Sequence, residues 1–477
     1  MKTAIFAAAL ALLPGGLEAA DIKATIKGIA ALPGIKNSSW GLSVKDASTG
    51  KVIAERNPRL NLVPASSLKV VVTAAALEKL GPEKIFYTRL YYDGSIVNGF
   101  LNGNLYIKGG GDLSLGSQLI KDSSQLEEVF LTWTEAVRAA GINVINGAVV
   151  GDDSAFQSWQ PGSWAWEDIG NYYAAQPSAL TVGDNLYKLY FKPAETVGAE
   201  AAVLRTEPYQ DGLKFENRMK TGPRGSGDNG YVYAFPGQAT AVLVGTIPQG
   251  QPEFAIKAAL PDPALYAAKA FSAYLAKAGI NSNKKPARGV PAPGATLTRV
   301  AETPSAPLKA AVRVTNKRSF NLYAELLLRH LGDGAPSKGL EALRSFLAAA
   351  GADVTELDLE DACGLSFRNT VKAETFTDML RHVFKAKYFP EFYDSLVFPG
   401  DPDATGHLKG LGRGTVLEKN LRLKSGSLNG VRSYTGYLKT KKGRTLAFTS
   451  IMNNYSMNGG AADKIHEDLL LALYGGY

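Results

Sequence analysis

Pro64-Ala65-Ser66-Ser67-Leu68-Lys69 runs directly into Val70-Val71-Val72-Thr73-Ala74-Ala75-Ala76-Leu77-Glu78-Lys79-Leu80 and stops at Gly81-Pro82. The Ala- and Leu-containing run predicts a helix over 70–80, ended by the Gly-Pro pair. Serine and lysine three apart at its start lie on one face, about one turn from each other. A serine hydroxyl is a weak nucleophile and needs a base within reach. Lysine serves as that base only if burial or a second cation lowers its pKa. The helix start adds backbone N–H groups and a positive dipole end, both suited to a developing oxyanion. The same residues also fit a helix cap followed by a surface lysine, so Ser66-x-x-Lys69 needs company.

Two motifs further along supply it. Ser319-Phe320-Asn321 precedes a helical stretch over Leu322–Leu331 that ends at Gly332. In an extended loop, Ser319 and Asn321 point the same way and can face one cavity. They are equally good N-caps for the helix that follows. Lys424-Ser425-Gly426 opens a run of three strands, Arg422–Leu428, Ser433–Leu438 and Thr445–Met452, joined by short turns and expected to form an antiparallel meander. Gly426 allows close backbone approach, and Lys424 beside it offers a cation for a carboxylate. The plain alternative is an exposed strand lysine near a bend.

The rest of the chain reads as a mixed fold. Trp40–Lys45 and Val52–Arg56 alternate around the turn cluster Asp46–Gly50 and predict a hairpin. From Tyr87 to Val150 the pattern is strand-like, with one helix near Gln125–Ala140. Tyr187–Ile256 is again β-rich, Pro263–Ala278 is helical, and Asn281–Gly294 has the Pro, Gly and basic content of a linker. Helices are expected at Gly339–Ala350 and Ala461–Leu473.

Of 477 residues, 45% are apolar and 20% charged, which is ordinary for a globular chain. A single cysteine, Cys363, forbids an internal disulfide and a cysteine-based zinc site. The four histidines show no HExxH spacing, there is no Gly-x-Ser-x-Gly elbow, and no motif calls for a metal or a cofactor. Lys2, the apolar run Ala4–Leu13, the breakers Pro14-Gly15-Gly16 and the small residues Ala19 and Ala20 predict a signal peptide over 1–20. The net charge of +8 comes without any nucleic-acid-binding motif. In an exported protein it supports at most a weak attraction to an anionic membrane or wall polymer, and a solvated basic surface accounts for it equally.

Taken in order, the three motifs resemble the Ser-x-x-Lys, Ser-Asp-Asn and Lys-Thr-Gly set of β-lactamases and penicillin-binding proteins. The resemblance is wider than the motifs. Leu105–Asp112, Gly151–Phe156, Asn171–Ala175, Asn316–Glu325, Gly364-Leu365-Ser366 and Lys424–Tyr437 are similar to the class C low-molecular-weight penicillin-binding proteins, the S13 family of D-alanyl-D-alanine carboxypeptidase/endopeptidases.

The resemblance implies an α/β (α+β) transpeptidase-like domain with an antiparallel sheet flanked by helices, interrupted by two β-rich insertions. The long gap between Ser66 and Ser319 agrees with that interruption. The expected division is 21–86 with 295–477 for the catalytic domain, 87–165 with 256–294 for the first insertion, and 166–255 for the second. The implied activity is serine-type D-Ala-D-Ala carboxypeptidase, with DD-endopeptidase action at the same site, on peptidoglycan stem peptides. β-Lactams are the implied covalent inhibitors, and the periplasm or wall space is the implied location. A β-lactamase-like hydrolase and a catalytically silent wall-binding protein are the alternatives.

Carried over residue by residue, Ser66 is the nucleophile and Lys69 the proton acceptor. Ser319 relays a proton to the leaving amine, and Asn321 orients Lys69 and the substrate amide. Lys424 holds the terminal carboxylate with help from Ser425, beside Gly426 and Leu428. The N–H groups of Ser66 and Ser427 form the oxyanion hole. Asp152, Phe156 and Arg368 are the expected side-chain readers, although Phe367 intervenes before Arg368 where the family has arginine directly after Gly-Leu-Ser. Glu167 and Asn171 mimic the Glu-x-x-x-Asn deacylation motif of class A β-lactamases, but they precede Ser319, so the match reads as chance.

Overall fold

A computed structural model describes residues 21–121 and 123–477, so the expected signal peptide over 1–20 lies outside the described residues. At the centre is a five-stranded antiparallel sheet in the order Val52–Arg56, Ser39–Asp46, Thr445–Asn453, Val431–Lys439, Leu421–Leu428. The predicted hairpin and the predicted meander are thus halves of one sheet, joined where Ser39–Asp46 pairs with Thr445–Asn453.

Side chains alternate between its two faces. Met452 joins one core and Ile451 the other. The first core packs the sheet against helices Ile22–Ala31 and Gly459–Gly476. The second packs it against the helix Lys69–Leu80 and the helices Leu308–Lys317, Asn321–Leu331 and Ala373–Phe384. Every residue from Lys69 to Leu77 is buried. A helix buried all round belongs at the centre of a domain, and this one carries the lysine of the first motif. Gly81, at φ +81°, ends it by donating its N–H to the Leu77 carbonyl.

The segment between Tyr87 and Pro304 builds separate sheets with cores of their own. The first joins Ala287–Arg288, Val149–Asp152, Leu105–Lys108, Tyr87–Tyr92 and Thr298–Pro304. The second insertion pairs Leu186–Lys192 with both Ala202–Glu207 and Phe254–Ala259. Four pairings go beyond the sequence reading. Asn281–Gly294 is more than a linker, since Asn281–Ser282 and Ala287–Arg288 add parallel strands beside Val144–Ile145 and Val149–Asp152. Thr298–Pro304 pairs with Tyr87–Tyr92 and not with the central sheet, and Phe254–Ala259 pairs within the second insertion. The two-residue strands Asn281–Ser282 and Ala287–Arg288 are too short to carry a period of their own; long-range pairing makes them.

Candidate active site

Ala65–Leu68 forms a 3₁₀ turn that leads into the central helix. Ala65 sits at φ +48°, a left-handed conformation costly for a residue with a Cβ. The turn is stapled to the sheet: the Pro64 carbonyl accepts from Ser433 Oγ at 2.5 Å and from Ser67 Oγ at 2.7 Å. Ser66 remains half-buried, its Oγ 2.8 Å from Lys69 Nζ. Ser66 makes no capping bond and Lys69 is fully buried, so the cap-and-surface-lysine alternative fails. Lys69 Nζ also donates to the Cys363 carbonyl at 2.6 Å.

The second motif is not a cap either. The helix begins after Phe320 with no side-chain cap, and Ser319, at φ +55°, accepts from Lys424 Nζ at 2.9 Å. Lys424 is fully buried and donates again to the Ser425 carbonyl at 2.6 Å, so it is no exposed strand lysine. Gly426 presses against the nucleophile turn. A Cβ there would lie 2.9 Å from Ser66 N and would overlap the Pro64 carbonyl and Ser433 Oγ. Ser427, the next residue of the strand, is exposed.

Burial pushes both lysines down from their ordinary pKa. For Lys69 the neighbouring Cys363, Asp361 and Glu325 pull the other way. For Lys424, the charge of Lys69 adds to burial, and its pKa falls well below the ordinary value. Two ammonium groups in one dry pocket repel, which favours a neutral amine on one of them.

Asn321 Nδ2 donates to the Tyr173 carbonyl at 2.7 Å, and Lys69 Nζ donates to the Ser66 hydroxyl and the Cys363 carbonyl. Beneath that carbonyl lies a network the motifs do not announce. Glu325 Oε1 accepts from the Ala362 and Cys363 N–H groups at 2.8 and 3.0 Å, and Arg329 Nη1 is 3.4 Å from its other oxygen. Asp361 accepts from the N–H groups of Gly364 and Ser366, from Asn369 and from Trp164. Glu325 is one turn beyond Asn321 on the same helix, and that i, i+4 spacing is the signal the sequence offered. Glu325, Asp361 and Cys363 place ligand-type atoms within 4.8 Å of one another. The carboxylates are already committed to N–H donors and burial holds the thiol protonated, so the group works as a hydrogen-bonding node.

Among the described residues, no hydrogen bond or ion pair joins the expected side-chain readers to one another. Asp152 is buried, accepts from Ser154 N at 2.9 Å and stands 3.9 Å from Lys108. Phe156 meets the His330 ring edge-on at 4.9 Å. Arg368 is largely exposed and pairs with Glu360 at 3.3 Å. Leu428 packs on the edge of the helical core. Asn171 spends its amide on the Glu167 and Asp168 carbonyls and on Val232 N, a structural role with no part for the Glu167 carboxylate.

A buried Ser-x-x-Lys at the head of the central helix, faced by Ser319 and Lys424 beside a five-stranded sheet, is the architecture of the penicillin-binding serine peptidases. Residues 22–473 match the D-Ala-D-Ala carboxypeptidase 3 (S13) family, and the chain belongs to it. A D-alanyl-D-alanine carboxypeptidase from an Actinomadura species is 28% identical over 97% of this chain and 86% of its own length. The D-alanyl-D-alanine carboxypeptidase DacB of Haemophilus influenzae is 26% identical over 88% of this chain and 86% of its own. The crystal structure of penicillin binding protein 4 from that organism superposes with a TM-score of 0.78 at 23% identity, covering 95% of this chain and 99% of that one. That protein has also been solved with a bound β-lactam. The chain is a serine-type D-Ala-D-Ala carboxypeptidase of this family.

Proposed function

We propose that the nucleophile is Ser66 and that it is acylated by the penultimate D-Ala of a peptidoglycan stem peptide. The observation that carries this is the 2.8 Å contact between Ser66 Oγ and a fully buried Lys69. With Lys69 neutral, the Cys363 carbonyl takes one of its N–H groups and turns the lone pair toward the Ser66 hydroxyl. Lys69 removes the hydroxyl proton as Oγ bonds to the substrate carbonyl carbon. The N–H groups of Ser66 and Ser427 hold the oxyanion. The C–N bond then breaks, and the proton reaches the leaving amine of the terminal D-Ala through Ser319, which already contacts Lys424. Lys424, protonated once a substrate carboxylate arrives, holds that carboxylate with Ser425. Water then attacks the ester and frees Ser66. A cross-linking amine can leave from the same acyl site, which accounts for endopeptidase action. A β-lactam acylates Ser66 in the same way, but its leaving amine stays tethered. The signal-peptide pattern of residues 1–20 supports the periplasm or wall space as the location of this chemistry.

Fluorescent penicillin should label the protein covalently, and Ser66→Ala should abolish labelling. Label retained in Ser66→Ala would sink the assignment. Persistence of the label for minutes or longer supports a carboxypeptidase, whereas rapid loss favours the β-lactamase alternative.

A further inference from the structure

Large aromatic side chains are seldom left open to water in number unless they meet something. Here Trp159 is 74% exposed, Trp166 64%, Tyr172 42% and Tyr231 40%. Three of the four lie on the segment that walls the active site. Its Trp159 carbonyl is held by buried Arg329 at 2.7 Å, its Trp164 reaches Asp361, and its Tyr173 carbonyl holds Asn321. Asn171 ties the same segment to Val232 of the second insertion at 3.0 Å.

Across that tie the rings join. Trp166 stacks on Tyr233 with centroids 4.6 Å apart, and Tyr233 lies nearly parallel to Tyr231 at 6.3 Å. Tyr172 meets Tyr173 edge-on at 5.2 Å. Because Tyr233 covers one face of the Trp166 indole, its exposure comes largely from the other face. The charged residues interleaved with these rings are Glu167, Asp168 and Asp228, all acidic. Asp168 is bonded to Tyr173, and Asp228 stands near Tyr172.

We propose that this aromatic wall binds the amino-sugar strand that carries the stem peptide. Flat apolar faces accept the C–H faces of pyranose rings, and carboxylates accept sugar hydroxyls in charge-assisted hydrogen bonds. Acidic residues would repel the carboxylates of a stem peptide and any anionic wall polymer, so a neutral polyol fits better than either. Tyr173, beside Tyr172 in the wall, holds Asn321 of the second motif through its carbonyl, which joins the wall to the site that takes the peptide. This inference rests on the acyl-enzyme reading of Ser66.

The test compares a disaccharide-pentapeptide with the same pentapeptide lacking sugar, in wild type, Trp166→Ala, Tyr233→Ala and Trp166→Phe. Wild type should prefer the sugar-bearing substrate in kcat/KM. Trp166→Ala and Tyr233→Ala should reduce that preference by about three- to tenfold. Trp166→Phe, which keeps a stacking ring, should retain most of it. Peptide-free glycan strands should sediment with wild type and less with Trp166→Ala. Penicillin labelling should be equal in all four, which shows that fold and nucleophile are intact. An unchanged preference in the alanine variants, or equal losses on the sugar-free peptide, would overturn the proposal while leaving the nucleophile assignment standing. Absence of labelling in wild type would instead overturn that assignment.

Discussion

Lys69 and Lys424 share one dry pocket, and the balance of charge around them sets which is neutral. Lys424 faces Lys69 from the strand, Asp361 and Cys363 from the loop, and Glu325 from the helix. The carboxylates of Asp361 and Glu325 raise the pKa of Lys69, and burial, the larger effect, lowers it. Glu325→Gln removes charge but keeps an acceptor for the Ala362 and Cys363 N–H groups. It should therefore lower the Lys69 pKa and move the acid limb of the penicillin acylation rate to lower pH. Glu325→Ala loses the acceptor too and should slow acylation at every pH by about tenfold or more. A profile unchanged in Glu325→Gln would show that the carboxylate acts on the loop alone. Cys363, fully buried and with its thiol pKa raised by burial, should resist thiol reagents in the native protein and react only after unfolding. Ser66 and Lys69 were legible because their spacing is local. The Cys363 carbonyl was not, since a backbone acceptor leaves no side-chain signature. The partner of Asn321 was hidden as well, because Tyr173 comes from across an insertion.

At the scale of elements, the strand Leu421–Leu428 is an edge of the sheet whose side chains are not free to vary. Gly426 lies against the nucleophile turn with no room for a methyl group. Gly426→Ala should force strand and turn apart, lower stability by about 1–3 kcal/mol and reduce penicillin acylation far more than that loss implies. Thermal unfolding and acylation rates measured together check this; a normal rate in the variant would argue against the close approach. The central helix, the hairpin and the meander were readable because their patterns have a period. The two-residue strands Asn281–Ser282 and Ala287–Arg288 were not, for two residues carry no period and their partners lie far away in sequence.

At the scale of the molecule, His330 is the joint between catalytic helix and insertion. Its ring stacks on Phe86 at 3.8 Å, meets Phe156 edge-on, and bonds the Gly111 carbonyl at 2.8 Å. Burial lowers its pKa from 6.5 to about 4. The unfolded chain therefore binds the proton more readily, and stability is lost as pH falls from about 6.5 toward 4. Nearby Asp112, pushed up to about 6 by burial, has the opposite sense and gains stability over part of the same range. His330→Phe should remove the first effect and leave the second. Urea unfolding between pH 7 and pH 4 should then show the variant gaining about 3 kcal/mol relative to wild type. Parallel pH dependences in the two proteins would show that His330 is not the titrating joint.

The pairing of Tyr87 with Pro304 has a topological meaning. Just outside it, Ser305 N donates to the Phe86 carbonyl at 2.8 Å and Leu308 N to the Lys84 carbonyl at 3.0 Å. The chain thus leaves the packing around the central sheet and returns to it through one clasp of adjacent strands. For chain closure the excursion counts as a tight turn, and its loop-closure entropy is confined to the excursion itself. Replacing residues 87–304 by a short hairpin turn would keep the two ends at the separation they already have, but it would also uncover the core in which Trp164, Ala174 and Ala175 of the excursion pack beside the central helix.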